Sequence, residues 1–239
     1  MLNEKMSKLD FRTWNMKQRA MLDYVLGAVC LILFFVLIVL LKTVDVQAVG
    51  PEGTVIGLAG MNTAFHDMTG VNQGLYNISK ILGILEILLA VFFAGLALYQ
   101  WIKGKSTKKV SQCLIAAGVF YVITAGLYVL FEKVIINYRP VIMEGDQHVE
   151  ASFPSTHTLL AIMILGSAFV IAKNLIENAA LKRTLRILCF VFMFLTAGAR
   201  LFSGVHWLTD IIGGIFLGAF LVFEYAGVVK HGIYLKEKN

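Results

Sequence analysis

The chain has 239 residues, 58% hydrophobic and only 15% charged, with a formal net charge of +6. A soluble domain is roughly 25% charged, so a water-soluble globule is excluded. The basic residues sit in short clusters between apolar segments, which is how membrane spans are flanked and not how a nucleic-acid surface is built.

Six segments are long and apolar enough to cross a bilayer: about 21–41, 78–102, 112–138, 156–172, 185–202 and 207–229. About twenty helical residues at about 1.5 Å each span a hydrocarbon core of about 30 Å. The first run is too long for a signal-peptide core and no small-residue cleavage site follows it, so it is expected to stay as a span. Between the first two spans, Leu58, Met61, Phe65 and Met68 step by 3, 4 and 3. That spacing predicts a short amphipathic helix lying on the bilayer, capping the bundle, or forming a lip that guides a lipid chain. Glu86, in mid-span with no cation at helical spacing, reads first as an inter-helix hydrogen-bonding group. The three cysteines, Cys30, Cys113 and Cys189, lie inside apolar segments and read as small packing residues. Pro51, Pro140 and Pro154 fall in loops, where they break no helix.

Lysine and arginine set the expected orientation. Lys5, Lys8, Arg12, Lys17 and Arg19 precede the first span. Lys103, Lys105, Lys108 and Lys109 follow the second, while Lys173, Lys182, Arg183 and Arg186 lie around the fourth-to-fifth connection. Lys230, Lys236 and Lys238 end the chain. Both termini are therefore expected in the cytoplasm, and residues 1–239 are expected to form one all-α, six-helix membrane domain in the cell membrane.

The remaining polar groups collect at the outer ends of the third to sixth spans. They are Glu132, Lys133 and Arg139-Pro140, then Pro154-Ser155-Thr156-His157, then Arg200, His206 and Asp210. Polar groups at membrane depth are costly and mark functional sites. Arg139, Arg200 and Lys133 supply positive charge for a phosphate dianion, and arginine offers a planar fork to two of its oxygens. Ser155 adds a hydroxyl, and the backbone N–H groups starting the fourth span attract anions. His206 and Asp210, four apart, share a helical face, so the carboxylate can fix the imidazole tautomer and leave the other nitrogen nucleophilic. His157 can protonate a leaving oxygen. With cations neutralising the phosphate, no metal or other cofactor is called for. The stretch 144–150, rich in acids and containing His148, reads as a solvated loop, and Gly214 and Gly218 as close helix packing.

This constellation resembles the type 2 phosphatidic acid phosphatase superfamily. Its motifs are Lys, six residues and Arg-Pro; then Pro-Ser-Gly-His; then Ser-Arg, five residues, His, three residues and Asp. Arg139-Pro140 ends the first motif, 154–157 forms the second, and Arg200, His206 and Asp210 keep the spacing of the third. The resemblance implies that His206 attacks phosphorus with support from Asp210, that His157 acts as acid and then base, and that Arg139, Ser155, Thr156 and Arg200 hold phosphate. It also implies a lipid phosphate or diphosphate as substrate, such as phosphatidic acid, phosphatidylglycerol phosphate or a polyprenyl diphosphate. The alternatives are a phosphotransferase using the same site, or a binding or transport protein with a degenerate one. Three positions depart from the pattern: Thr156 stands for Gly, Ala199 for Ser, and Glu132 occupies the register of the family lysine. A local tightening of the helix is expected to bring Lys133 to the phosphate and turn Glu132 away.

Overall fold

A computed structural model describes residues 14–143 and 145–238. Lys5, Lys8 and Arg12 of the basic tail and Glu144 of the acidic loop lie outside these residues. The α-helices are α1 (Met16–Thr43), α2 (Ala59–Thr69), α3 (Gln73–Gly104), α4 (Gln112–Lys133), α5 (Thr156–Leu175), α6 (Ala179–Phe202) and α7 (Leu208–Lys238). All but α2 are long and apolar enough to cross a membrane, so the chain is an all-helical, six-span membrane protein. Several helices outrun their apolar windows because polar caps start them early. Asn15 and Gln18 form a reciprocal capping box on α1, and the side chains of Asn72 and Asn178 accept backbone N–H groups that open α3 and α6.

The apolar side chains divide by solvent. Those of α5 turn mostly inward, whereas α1, α3, α4 and α6 leave long rows such as Ile32, Phe92, Val122 and Phe194 facing outward. In water such rows would drive aggregation; against lipid chains they carry no penalty. The central helix α5 packs on α4, α6 and α7, and α7 also lies along α1. Small residues allow the α5–α7 approach. A methyl group on Gly213 would come within 2.3 Å of the Phe153 ring, one on Gly214 within 2.8 Å of the Ser155 carbonyl, and one on Gly218 within 2.8 Å of Ile162 Cβ. The packing expected of Gly214 and Gly218 thus also fixes the loop that enters α5.

One sequence expectation changes and another is narrowed. The third span stops at Lys133 and not at Tyr138. The β-branched run Val134-Ile135-Ile136 favours extended backbone, and a residue before proline avoids the helical region. The chain then pairs with the segment entering α5, through a bridge between Tyr138 and Ala151 and bonds from Arg139 N to Glu150 O (3.0 Å) and Ser152 N to Asn137 O (2.9 Å). Lys42 Nζ, at the end of α1, donates to Ile136 O at 2.9 Å. The short helix expected between the first two spans is α2, and of the placements expected for it the structure shows the cap, held by its polar face. Buried Asn62 donates to Gly57 O and Thr209 Oγ1 and accepts from Thr209 N, at 2.9, 3.0 and 3.2 Å. The short helix therefore caps the start of α7, and Met61 and Met68 face outward.

Gly214→Ala should destabilise the protein by about 1–3 kcal/mol, since a backbone carbonyl cannot move aside as a side-chain tip can. Gly95→Ala, where the added methyl meets nothing within 4 Å, should be neutral or stabilising. Thermal unfolding of both variants in detergent checks this; equal melting temperatures would refute the close-packing account.

Candidate active site

The C-terminus of α6, the N-termini of α3, α5 and α7, and the segment after α4 meet at one end of the bundle. Arg200, in the last turn of α6, is 1% exposed. Its Nη1 donates to Ser79 Oγ at 3.3 Å, its Nη2 to His206 Nε2 at 3.0 Å, and its guanidinium carbon lies 5.3 Å from the centre of the Tyr76 ring. A guanidinium only donates, so Nε2 of His206 is the acceptor and is unprotonated in this contact. The ring proton of the neutral form therefore sits on Nδ1.

His206 lies in the short link before α7, not on the helix, yet the i,i+4 spacing still brings Asp210 to it: Nδ1 and Asp210 Oδ2 are 3.5 Å apart. That is contact without a hydrogen bond, because Nδ1 has no partner within bonding geometry. Asp210 Oδ2 instead accepts Trp207 N–H at 2.8 Å, and the Asp210 carbonyl accepts Ser155 N–H at 2.9 Å. Asp210 thus ties the link that carries His206 to the loop that starts α5, besides facing the ring. Ser152, buried, completes the enclosure, with its backbone towards His206 and its side chain towards Asp210. Burial, and then the charges of Arg200 and Arg139, push the His206 pKa well below the usual imidazole range.

A cavity of about 520 Å³ opens on His206. Arg139, Glu132, Tyr138, Ser152 and Thr156 are among its lining residues. The extended pairing of 137–139 with 150–152 is what points Arg139 here, and Trp207 Nε1 donates to Tyr138 O at 2.7 Å to hold that pairing against α7. Arg139 Nε lies 3.3 Å from Glu150 Oε2, whose side chain is 54% exposed, and Nε and Nη1 of Arg139 make no hydrogen bond. The guanidinium therefore retains donors for an anion. Ser155 is fully buried and its hydroxyl accepts from Thr158 Oγ1 at 3.0 Å, so it does not line the cavity. It provides no side-chain cap to α5 either, leaving the first-turn N–H groups beside Thr156 for another acceptor.

His157 lines a separate, smaller space of about 160 Å³ with Lys80, Gly83 and Glu86 of α3. It remains close enough to His206 for their charges to interact, and its Nδ1 is buried without a partner. Glu86 accepts from Thr196 Oγ1 at 2.7 Å, which is the inter-helix bond expected of it, while its other carboxylate oxygen is unpartnered.

Lys133 is the main correction. It ends α4, is exposed, and is absent from the cavity lining, where Glu132 stands beside Tyr128. The expected tightening would have needed a helix running on to Arg139, and the chain has already left helical geometry. Sequence reasoning missed Ser79, Tyr76, Lys80 and Ser152. The first three are one helical turn or less apart on α3 and could have been flagged as a polar start to an apolar helix. Ser152 carried no signal.

Residues 114–231 match the family model of the PAP2 superfamily. Over 97 residues the chain is 31% identical to phosphatidylglycerophosphatase B of Bacillus subtilis (strain 168), a match covering 40% of this chain. It spans 46%, about half, of that relative's length. The fold is similar to the crystal structure of a transmembrane PAP2-type phosphatidylglycerolphosphate phosphatase from Bacillus subtilis, with a TM-score of 0.57 at 19% identity, over 88% of this chain and 96% of that one. Arg139, His157, Arg200, His206 and Asp210 all fall within the matched stretch, and that stretch, residues 114–231, belongs to the PAP2 superfamily.

Proposed function

We propose that this protein hydrolyses a lipid phosphate or diphosphate through a phosphohistidine on His206, without a metal ion. The observation that carries this reading is the contact between Arg200 and Nε2 of a buried, unprotonated His206 at the floor of a cavity lined by Arg139. A phosphate dianion entering that cavity meets the Arg139 guanidinium, the uncapped start of α5 and, behind the His206 ring, the Arg200 guanidinium. When Arg200 turns its donor from Nε2 to a phosphate oxygen, the nitrogen lone pair is released towards phosphorus.

The Nε2–P bond then forms as the P–O bond to the lipid breaks, and His157 gives its proton to the departing oxygen. In the second half, His157 takes a proton from water, the water oxygen bonds to phosphorus, and Nε2–P breaks to release orthophosphate. Asp210 and Ser152 orient the ring and support the positive charge that develops on it. Arg139, Arg200 and Thr156 neutralise and position the phosphate, with Ser155 shaping the loop behind them. The 31% identity to a phosphatidylglycerophosphatase supports a lipid substrate. Outward-facing apolar rows beside the cavity allow its tail to stay in the bilayer. Residues 1–239 act as one unit in the cell membrane, and the lysine and arginine bias supports cytoplasmic termini and a site on the outer side.

The purified protein in EDTA should release orthophosphate from at least one member of a panel of lipid monophosphates and diphosphates. His206→Ala should form no acid-labile phosphoenzyme with any substrate. His157→Ala should still be phosphorylated by p-nitrophenyl phosphate, whose leaving group needs no acid. A phosphoenzyme trapped in the His206 variant would refute the assignment.

The two basic residues flanking the end of α4 should differ sharply. Arg139→Ala should lower kcat/KM about 10- to 100-fold, the scale of a lost charged hydrogen bond. Lys133→Ala should stay within about twofold of wild type, because its side chain is exposed and does not line the cavity. Similar losses in both would mean that Lys133 reaches the phosphate after all.

Orientation is checked in intact cells with an impermeant thiol reagent, on a background without Cys30, Cys113 and Cys189. Glu150→Cys, on the rim of the site, should be labelled and Lys105→Cys should not. The reverse pattern would place the site on the cytoplasmic side.

A further inference from the structure

A second cavity, of about 430 Å³, lies at the other end of the bundle, lined by parts of α1, α5, α6 and α7. Its distance from the catalytic residues follows from helix geometry at about 1.5 Å per residue. Lys173 lies about 24 Å along α5 from His157, Arg186 about 21 Å along α6 from Arg200, and Lys230 about 30 Å along α7 from Asp210. The cavity therefore belongs to the opposite membrane face, and none of the proposed chemistry uses it.

Its lining is amphipathic in a particular way. Lys173, Arg186 and Lys230 come from three different helices, and among the described residues Asp23 of α1 is the one carboxylate in the lining. Asp23 pairs with Lys230, so one cation is neutralised and two remain. The Arg186 guanidinium lies 4.1 Å from the centre of the Phe169 ring, and its Nε is buried without a hydrogen-bond partner. It is held at the wall by a cation–π contact with donors unspent. The rest of the wall, including Phe190, Met193, Val222 and Phe223, is apolar, and Phe190 is 56% exposed to the surrounding lipid. The site thus has two unneutralised cations at one end and a greasy wall continuous with the bilayer at the other.

We infer that this cavity binds an anionic phospholipid of the leaflet opposite the catalytic site. Its phosphodiester headgroup lies between Lys173 and Arg186, and one acyl chain runs along the Phe190 and Phe223 wall. Charge complementarity selects the anionic headgroup. The apolar wall selects a lipid over a free anion, and basic pockets between membrane helices are suited to such headgroups. The bound lipid joins α5, α6 and α7 at the end away from the catalytic residues, so it adds to the stability of the bundle and not to turnover.

The full-length protein in detergent is titrated with phosphatidylglycerol, phosphatidylcholine or inorganic phosphate, following Tm and adduct formation by native mass spectrometry. Phosphatidylglycerol should raise Tm and give a retained one-to-one adduct, and the other two should not. Lys173→Gln with Arg186→Gln should weaken the adduct about thirtyfold, the factor for two charges near a membrane surface. Turnover should remain near wild type, since neither residue belongs to the catalytic machinery. Lys173→Glu alone, at an exposed position, should weaken binding in a protein whose fold is undisturbed. Arg139→Gln should keep the adduct. Equal stabilisation by phosphatidylcholine, an equal shift with inorganic phosphate, or an adduct lost in Arg139→Gln but kept in the Lys173 and Arg186 variants would each overturn the proposal.

Discussion

A guanidinium that is 1% exposed inside a membrane bundle is the constraint on which the catalytic end is built. Arg200 cannot shed its charge in this setting, and an uncompensated buried ion costs several kcal/mol even after relaxation. Among the described residues no carboxylate pairs with it. Its partners are the Ser79 hydroxyl, the Tyr76 ring and the His206 nitrogen, which are dipoles and a π face and not an anion. Arg139 beside it makes only an angled contact with a half-exposed glutamate. The positive charge of these two groups matches the phosphate dianion of the proposed substrate, which carries two negative charges and several acceptor oxygens.

That positive charge has to be held by a rigid frame, and the frame is made of neutral parts. The Asp210 carbonyl accepts from Ser155, Trp207 donates to Tyr138 O, and the strand-like pairing of 137–139 with 150–152 aims Arg139. Gly213 and Gly214 let Phe153 and the Ser155 carbonyl sit against α7 with no intervening side chain. Each contact is modest, about 0.5–1.5 kcal/mol for a neutral hydrogen bond. Together they fix three chain segments, far apart in sequence, around one nitrogen atom.

Much of this was legible in the sequence, for reasons that differ between residues. The six spans were readable because hydrocarbon imposes a length and a composition that no loop satisfies. Arg139, His157, Arg200, His206 and Asp210 stood out because ionisable groups at the ends of apolar segments need a cause. Lys133 was misplaced because helical phase was carried through 134–136, where β-branched residues had already ended the helix. Asp210 was given one task, orienting the imidazole, when its carboxylate and carbonyl also carry backbone N–H groups. Ser152, Asn62 and Ser79 were invisible because a neutral polar residue in a loop or at a helix start looks like any other until its partner is known.

Asn62 shows why such residues matter most where the charges are. Amphipathic spacing alone would lay α2 flat on the bilayer through Met61, Phe65 and Met68. Instead one buried amide, bonded three ways to Gly57 and Thr209, turns the helix over so that its polar side meets α7 next to Asp210. His66 adds a contact to Gly204 O at 3.1 Å, on the same link that carries His206. Gly204 is left-handed there, with φ of 70°, and an added methyl would strike the Gly70 carbonyl, so the α6–α7 link and the turn between α2 and α3 touch backbone to backbone. A covering held by exposed apolar contacts would slide with the lipids around it. One held by satisfied buried hydrogen bonds has a single register, which keeps a buried histidine and arginine in fixed relation at the edge of a fluid solvent.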